Sequence, residues 1–239
     1  SLNKLELCMK KFIISFLCLL AFSTSTFAVS DKEIIQEQTI QNRINDIGTH
    51  ILNANKIKGH IIFVYDKEAK DSILKMDTTV TSRQIVMFRE YYKFIADDNE
   101  LAAYLAREIA RSSRTFDGMG NGWLTGVQIK AAPKKFELVS DKRAVDYMVN
   151  AGYNPIALIT FINKAYPQHY QDLVSNKNLT SKRLAHIYEY IYTKYPYFLA
   201  NNEYLENPHY QNFLLNSVEN RRLFEEKIKT NSKEKLRYE

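Results

Sequence analysis

Cysteine, glycine and proline are all scarce in this sequence of 239 residues, with two, seven and five copies. The cysteines, Cys8 and Cys18, precede the point at which we expect the chain to be cleaved, so the mature protein would contain no thiol. That excludes a disulfide framework, a cysteine-ligated zinc and a cysteine nucleophile. With 45% apolar and 25% charged residues, the chain is also neither collagen-like nor disordered.

An excess of charge of one sign is lacking too, since 33 basic and 27 acidic residues give a net charge of +6. So small and dispersed an excess does not predict nucleic-acid binding, and we expect no nucleic-acid partner. Aromatic residues are plentiful by contrast, with 16 tyrosines and 13 phenylalanines. They predict an aromatic-rich interior.

A long apolar run is found only near the N-terminus, where two lysines after Met9 precede the stretch Phe12–Phe22. Small residues follow as far as Ala28, and this order is typical of a secretory signal peptide. The run is too short to span a bilayer, so we expect no transmembrane segment in the mature chain. We predict a periplasmic or secreted protein, with the signal at Met9–Ala28 and residues 1–8 as an upstream extension. An uncleaved N-terminal anchor is the alternative.

The apolar periodicity of the rest predicts an α+β fold that is predominantly helical. We expect one domain over residues 29–200 and a polar, charged C-terminal tail over 201–239, ending in a solvated helix that frays. Strands are predicted at His60–Asp66 and Thr78–Thr81. Helices are predicted at about 31–55, 84–95, 98–112, 137–151, from Asn154 onward, and 180–195.

Two of these helices carry charges that suggest a functional site. At 100° per residue, Arg107, Glu108 and Arg111 lie together on the side of one helix opposite its apolar stripe. On the helix 137–151, Glu137 and Asp141 lead into an apolar face. Carboxylates at the edge of a core require a cation, either a metal ion or an arginine.

The same segments resemble the HtpX-type zinc metallopeptidase family. Residues 100–111 (ELAAYLAREIAR) resemble its ELAAVLAHEIAH helix, and residues 137–155 resemble its ExxxD helix with the AGYDP sequence that follows. Residues 180–184 (TSKRL) resemble its later HPxTxxRI segment, and the likeness covers about residues 78–190. It implies a zincin-like domain with a small β-sheet over the HExxH-equivalent helix. The strand Thr78–Thr81 is then a candidate edge for peptide pairing.

In that family the two histidines of HExxH bind zinc, and the glutamate between them activates the zinc-bound water. By position, Glu108 corresponds to this general base, Glu137 to the third zinc ligand and Asp141 to the residue that supports it. Arg107 and Arg111 stand in the places of both histidines. A guanidinium has no lone pair to donate to a metal, so we expect neither zinc nor any other cofactor.

We therefore predict an exported pseudopeptidase in which Glu108 is idle and the chain binds or scaffolds a protein or peptide partner in the cell envelope. Arg183, in the HPxTxxRI-like segment, is a candidate binding residue. Arg107 and Arg111 are expected to replace the metal among the three carboxylates. Two alternatives remain open. The chain could be an active zinc metalloendopeptidase of envelope protein quality control, with ligands outside these motifs, or an unrelated helical periplasmic adaptor.

Overall fold

The structure is a computed structural model that describes residues 33–67, 83–117, 133–166 and 179–238. The chain divides into two compact units, Ser1–Arg43 and Ile44–Glu239. Of the first unit, residues 33–43 are described, and they are helical. They belong to helix α1, which covers residues 33–54.

The second unit is predominantly helical and contains a small parallel sheet. Its strands are β1 (Ile62–Asp66) and β2 (Gln84–Phe88). The described helices that follow are α2 (Arg89–Tyr92), α3 (Asp98–Asp117), α4 (Pro133–Asn150), α5 (Ile156–Ala165), α6 (Leu179–Lys194), α7 (Pro196–Ala200), α8 (Pro208–Asn216) and α9 (Val218–Lys229). The fold class is therefore α+β, as the sequence predicts.

Strands β1 and β2 pair in parallel, with Phe63 opposite Ile85. Both side chains are buried, because this face of the sheet turns toward the helices. Phe63 packs so closely on α1 that a Cβ atom added at Gly48 would lie 2.5 Å from its ring. The hydroxyl of Tyr104, on α3, donates a 2.6 Å hydrogen bond to the carbonyl of Val86 in β2. These contacts fasten the sheet to α1 and α3.

The predicted strand at His60–Asp66 is confirmed, but the predicted helix Gln84–Ile95 is wrong over its first five residues. Those residues form β2, and only α2 is helical in the remainder. Ile85, Met87 and Phe88 are buried, and a short apolar run of this kind satisfies both helical and strand periodicity. Pairing with β1 decides in favour of the strand. The predicted strand Thr78–Thr81 lies outside the described residues.

The predicted end of the helix 137–151 and the predicted helix after Asn154 are confirmed to within two residues. After α4 the chain turns at Gly152, whose φ of 79° is the left-handed conformation that glycine tolerates. The amide of Tyr153 there donates to the carbonyl of Met148 at 2.9 Å, as in a Schellman motif. At the start of α5, Asn154 Oδ1 accepts a 3.0 Å hydrogen bond from the amide of Ile156.

Helix α3 lies at the centre of the unit and packs against β2, α4 and α5, while α6 packs against α4 and α5. Leu101, Leu105 and Ile109 form its apolar stripe and are fully buried. Every residue from Ile156 to Asn163 of α5 is buried as well. In the described ranges, no helix is at once long and apolar enough to cross a lipid bilayer.

Residues 201–238, the segment predicted to be a polar, charged tail, pack on this helical unit. The hydroxyl of Tyr204 donates to Asp97 Oδ2 at 2.9 Å. In α9, Phe224 is buried in a small cluster with Ala185 of α6, while the charged side chain of Arg222 is exposed. Helix α9 therefore packs an apolar side chain on α6 while a charged side chain stays exposed.

An arginine–carboxylate network as the candidate functional site

Three arginines and three carboxylates meet in the interior where α3, α4 and α6 pack together. They are Arg107, Glu108 and Arg111 of α3, Glu137 and Asp141 of α4, and Arg183 of α6. The side chain of Glu137 is 13% exposed, and each of the other residues is at most 5% exposed. The formal charges sum to zero, so the six groups together place no net charge in the interior.

Arg107 lies at the centre of this network. Its Nη1 donates to Glu108 Oε1 at 2.9 Å, and its Nη2 donates to Glu137 Oε2 at 2.6 Å. Its Nε lies 3.5 Å from Asp141 Oδ1 and has no hydrogen-bond acceptor among the described residues. One guanidinium thus contacts all three carboxylates and joins α3 to α4.

The other two arginines engage the remaining carboxylate oxygens. Arg111 Nη1 lies 3.2 Å from Glu137 Oε1, so the two oxygens of Glu137 face different guanidinium groups. Arg183 binds Asp141 with both arms of its fork, through Nε to Oδ2 at 2.7 Å and Nη2 to Oδ1 at 2.8 Å. Such bidentate pairs are the strongest ionic hydrogen bonds in proteins, and this one ties α6 to α4.

Helical spacing explains why the charges meet. Arg107 and Arg111 are four residues apart on α3, and Glu137 and Asp141 are four residues apart on α4. Residues four apart lie on one face of a helix, so two packed helices can present two cations to two anions. The apolar positions of both helices are buried beside them, which fixes the rotation of each helix about its axis.

Aromatic rings cover the network. The ring centroid of Tyr166, just after α5, lies 5.8 Å from Arg107 Cζ and 5.7 Å from Arg183 Cζ. Phe136 lies against the third guanidinium, with its ring centroid 5.9 Å from Arg111 Cζ. Rings at this distance attract a guanidinium through their electron-rich faces and exclude water from the ion pairs.

The ion pairs hold Glu137 and Arg107 in their charged forms. Burial raises the pKa of Glu137, but the positive charges of Arg107, Arg111 and Arg183 outweigh burial and lower this pKa to about 2. Burial lowers the pKa of Arg107, and the charge of Glu137 and its other neighbours raises it well above its ordinary value. Both groups are therefore ionised at neutral pH.

The residues present do not fit a zinc ion. Positions 107 and 111 carry protonated guanidinium groups, whose nitrogens cannot act as ligands. Both oxygens of Glu137 and both of Asp141 face arginine nitrogens. Within the described parts of the chain, no three histidine, cysteine, aspartate or glutamate side chains are grouped so that they could hold a metal ion.

The structure brings together all six residues that the sequence singled out. The convergence of Glu108, Glu137 and Asp141 around an arginine is the arrangement that we expected. Arg183, the candidate binding residue, is 4% exposed and bonds Asp141 in the interior. Sequence reasoning did not find the covering ring of Tyr166, because nothing in its local sequence marks it.

A second buried ion pair, at the start of α3, was also missed. Glu100 is fully buried and accepts hydrogen bonds from Lys164 Nζ at 2.6 and 2.7 Å. It also accepts from Thr160 Oγ1 at 2.9 Å and from the amide of Ala96 at 2.8 Å. The amide of Glu100 donates to Asp97 Oδ1 at 2.8 Å, as at a helix N-cap. No pattern in the local sequence identifies Lys164 of α5 as the partner of Glu100.

Fold and site together define an α+β domain that is predominantly helical and has a neutral ionic network at its centre. Comparison with known proteins assigns no family, since the chain matches no protein-family model, no curated protein and no solved structure. The contacts described above are therefore the basis for a function.

Proposed function

We propose that this protein is an HtpX-type metallopeptidase-like domain in which arginines have replaced the metal, and that it binds or scaffolds a protein or peptide in the cell envelope. The observation that carries this proposal is the position of Arg107. Its guanidinium contacts Glu108, Glu137 and Asp141, the residues that match the family's general base, third ligand and supporting carboxylate. Arginine thus supplies the positive charge that zinc supplies in the family.

The position of the sheet supports the zincin-like part of the proposal. Strand β2 is bonded to α3 through Tyr104 and Val86, and α3 is the helix that we match to the family's HExxH helix. A small sheet over that helix is what the resemblance implies. Export to the envelope is proposed from the signal-like residues 9–28, which lie outside the described ranges.

The network also supports the proposed loss of peptidase activity. Glu108 Oε1 accepts a hydrogen bond from Arg107, and the residue is 4% exposed. In this arrangement the carboxylate is buried and one of its oxygens is already engaged by a guanidinium. A general base must lie within hydrogen-bond reach of the proton that it removes, so the burial of Glu108 and its bond from Arg107 support the proposal that it is idle.

The test is to restore the histidines. The purified wild-type chain, equilibrated with zinc and then desalted, is expected to retain far less than one equivalent and to cleave no casein. The double variant Arg107→His, Arg111→His is expected to retain about one equivalent, as in three-ligand zinc sites. It should also be stabilised by zinc, since it loses two cations that zinc then replaces.

A third variant serves as the matched control. Adding Glu137→Gln to the histidine pair removes the proposed third ligand, so zinc retention should fall while the histidines stay. Stoichiometric zinc in the wild type, lost together with proteolysis on chelation, would overturn the pseudopeptidase. A folded histidine variant that retains no zinc would overturn the relation to a zinc site.

A further inference from the structure

A short segment after α9 packs back onto the helices that precede it. Helix α9 ends in a Schellman motif, in which the amide of Ser232 donates to the carbonyl of Lys227 at 3.0 Å. Asn231 takes the left-handed conformation of that motif, with a φ of 48°. The chain therefore reverses direction here, and residues 233–238 return along α9 without helical or strand structure. We call residues 233–238 the return segment.

Two side chains, two residues apart, anchor the return segment. Leu236 is partly buried and Tyr238 is 4% exposed. Both belong to the apolar cluster that contains Ala185 of α6 and Phe224 of α9. Arg237, between the two anchors, is exposed. This alternation is typical of an extended chain that presents every second side chain to a surface, so the segment lies on α6 and α9 as a docked peptide would.

The hydroxyl of Tyr238 has a specific acceptor on α6. It donates to Glu189 Oε2 at 2.9 Å, while Lys227 Nζ of α9 donates to Glu189 Oε1 at 3.0 Å. The ring of Tyr238 meets the ring of His186 edge-on, with the two centroids 4.8 Å apart. The lysine holds the carboxylate in place and the imidazole contacts the ring. A site with such an acceptor favours tyrosine over phenylalanine, because only tyrosine satisfies it.

The backbone contributes little to holding the return segment. From Lys235 to Tyr238, no amide or carbonyl forms a hydrogen bond with another described residue. Within the same described ranges, the charged side chains of Lys235 and Arg237 form no ion pair. Recognition by two side chains does not require a covalent link, since a link only raises the local concentration of the segment. A separate peptide that carries the same pair can therefore make the same contacts.

We propose that the surface of α6 and α9 around Glu189 is a docking site for an extended peptide with an aliphatic side chain and a tyrosine two residues apart, and that the return segment occupies this site as an internal competitor. The inference rests on the peptide-binding part of the proposed function and makes no use of the arginine network. A partner must displace Leu236 and Tyr238 to bind, so the domain inhibits its own binding. The residue between the two anchors is not selected, because Arg237 is exposed.

The test uses the purified full chain with Leu236→Ala and Tyr238→Ala, which empties the site. The probe is a fluorescently labelled peptide of residues 231–238 with an amidated C-terminus, and its binding is followed by fluorescence anisotropy. With only two anchors, the probe is expected to bind the emptied site with a Kd of about 0.1 mM. A short linker gives the return segment an effective concentration in the millimolar range, so the wild-type chain should bind the probe about tenfold more weakly.

Variants of the probe test which contacts carry the binding. Tyr238→Phe in the peptide should weaken binding about tenfold, as expected for the loss of a hydrogen bond to a carboxylate. Glu189→Gln in the emptied chain should remove most of the difference between the two peptides, because the hydroxyl then loses its charged acceptor. Arg237→Ala in the peptide is the matched control and should leave the affinity unchanged, since that side chain is exposed.

A milder variant keeps the test decisive if the emptied chain does not fold. Tyr238→Phe in the full chain keeps the ring and removes only the hydroxyl bond, so this chain should bind the tyrosine probe more tightly than the wild-type chain does. Circular dichroism shows which of the two variants is folded, and the folded one is titrated.

The proposal is overturned if the folded variant does not bind the probe at about 1 mM, or binds it no more tightly than the wild-type chain does. It is also overturned if the tyrosine and phenylalanine peptides bind equally well, if Glu189→Gln leaves their difference intact, or if Arg237→Ala weakens binding as much as Tyr238→Phe. Zinc retention by the histidine variant depends on α3 and α4 instead. Failure of the peptide titration is therefore distinct from failure of the proposed relation to a zinc site.

Discussion

Replacing Arg107 with methionine tests whether the network holds the helices together. Methionine keeps much of the side-chain volume and removes the charge, so three buried carboxylates then face only two guanidinium groups. The variant loses hydrogen bonds of 2.9 and 2.6 Å to Glu108 and Glu137 and the 3.5 Å contact with Asp141. Removing one partner of a buried ion pair typically costs about 3–5 kcal/mol, a large part of the total stability of a domain.

The assay is urea unfolding at pH 7, followed by circular dichroism, for Arg107→Met, Glu137→Gln and the double variant. Each single variant leaves an unbalanced buried charge, and the double variant does not. The double variant should therefore lose less free energy of unfolding than the two single variants lose together. We expect a coupling free energy of about 1–3 kcal/mol. Arg107→Lys, which keeps the charge but loses the fork, should fall between wild type and Arg107→Met.

An exposed pair serves as the control for this cycle. Arg222 and Glu219 of α9 also approach to 2.6 Å, but both side chains are more than half exposed. Water and salt screen such a pair, so the cycle of Arg222→Met and Glu219→Gln should show no measurable coupling. If the Arg107 and Glu137 changes add within about 0.5 kcal/mol, as independent sites do, the reasoning about the network is refuted.

Three further perturbations test the ionic network, the buried pair of Lys164 and Glu100, and the contact between α1 and β1. Because Glu137 has a pKa of about 2 in the folded chain and 4.5 ordinarily, its pairing stabilises the fold above pH 4.5. About 3 kcal/mol of the free energy of unfolding should be lost as the pH falls from 4.5 toward 2. Urea unfolding of Glu137→Gln should not show this loss. Lys164→Met leaves Glu100 buried without its cation and should cost about 3–5 kcal/mol in urea unfolding, while adding Glu100→Gln should restore part of it. Gly48→Ala should lower the thermal midpoint, because the Cβ of the new alanine would meet the ring of Phe63. An unchanged midpoint would show that the ring can move away.

Helices were predicted well where the chain signals them locally. Gly152 and Asn154 are the residues that end α4 and begin α5, and both act through backbone or side-chain geometry within a few residues. Apolar spacing likewise located α3, α4 and α6. These signals depend on neighbours in sequence, so one sequence is enough to read them.

The strand β2 could not be predicted in the same way. Its residues, Gln84–Phe88, include four consecutive apolar side chains, a pattern that either a helix or a strand can bury. What decides is parallel pairing with β1, a partner about twenty residues away in sequence. Parallel pairing depends on the whole crossover between the strands, and local propensity does not encode it.

The candidate site could be predicted in part, less well than the helices and better than strand β2. Spacing of four residues on α3 and α4, together with the resemblance to the metallopeptidase motifs, predicted that Arg107 meets Glu137. The bidentate bond from Arg183 to Asp141 and the ring of Tyr166 depend on how α6 and the end of α5 pack, and no local pattern reports that. The residues of the network could therefore be named from sequence, while its closure by a third helix could not.

The composition of the network bears on why arginine stands at positions 107 and 111. A buried ionic cluster is not the most stable way to fill an interior, since apolar residues of similar volume do as well or better. Once carboxylates occupy a buried site, however, the charge must be balanced, and arginine can do so without a metal. Three carboxylates with two of their cations one helical turn apart therefore support the proposal of a site that kept its anions and exchanged its metal for guanidinium groups. That reasoning supports the histidine pair at 107 and 111 as the decisive variant. In an unrelated helical protein, these positions would have no reason to gather zinc with Glu137.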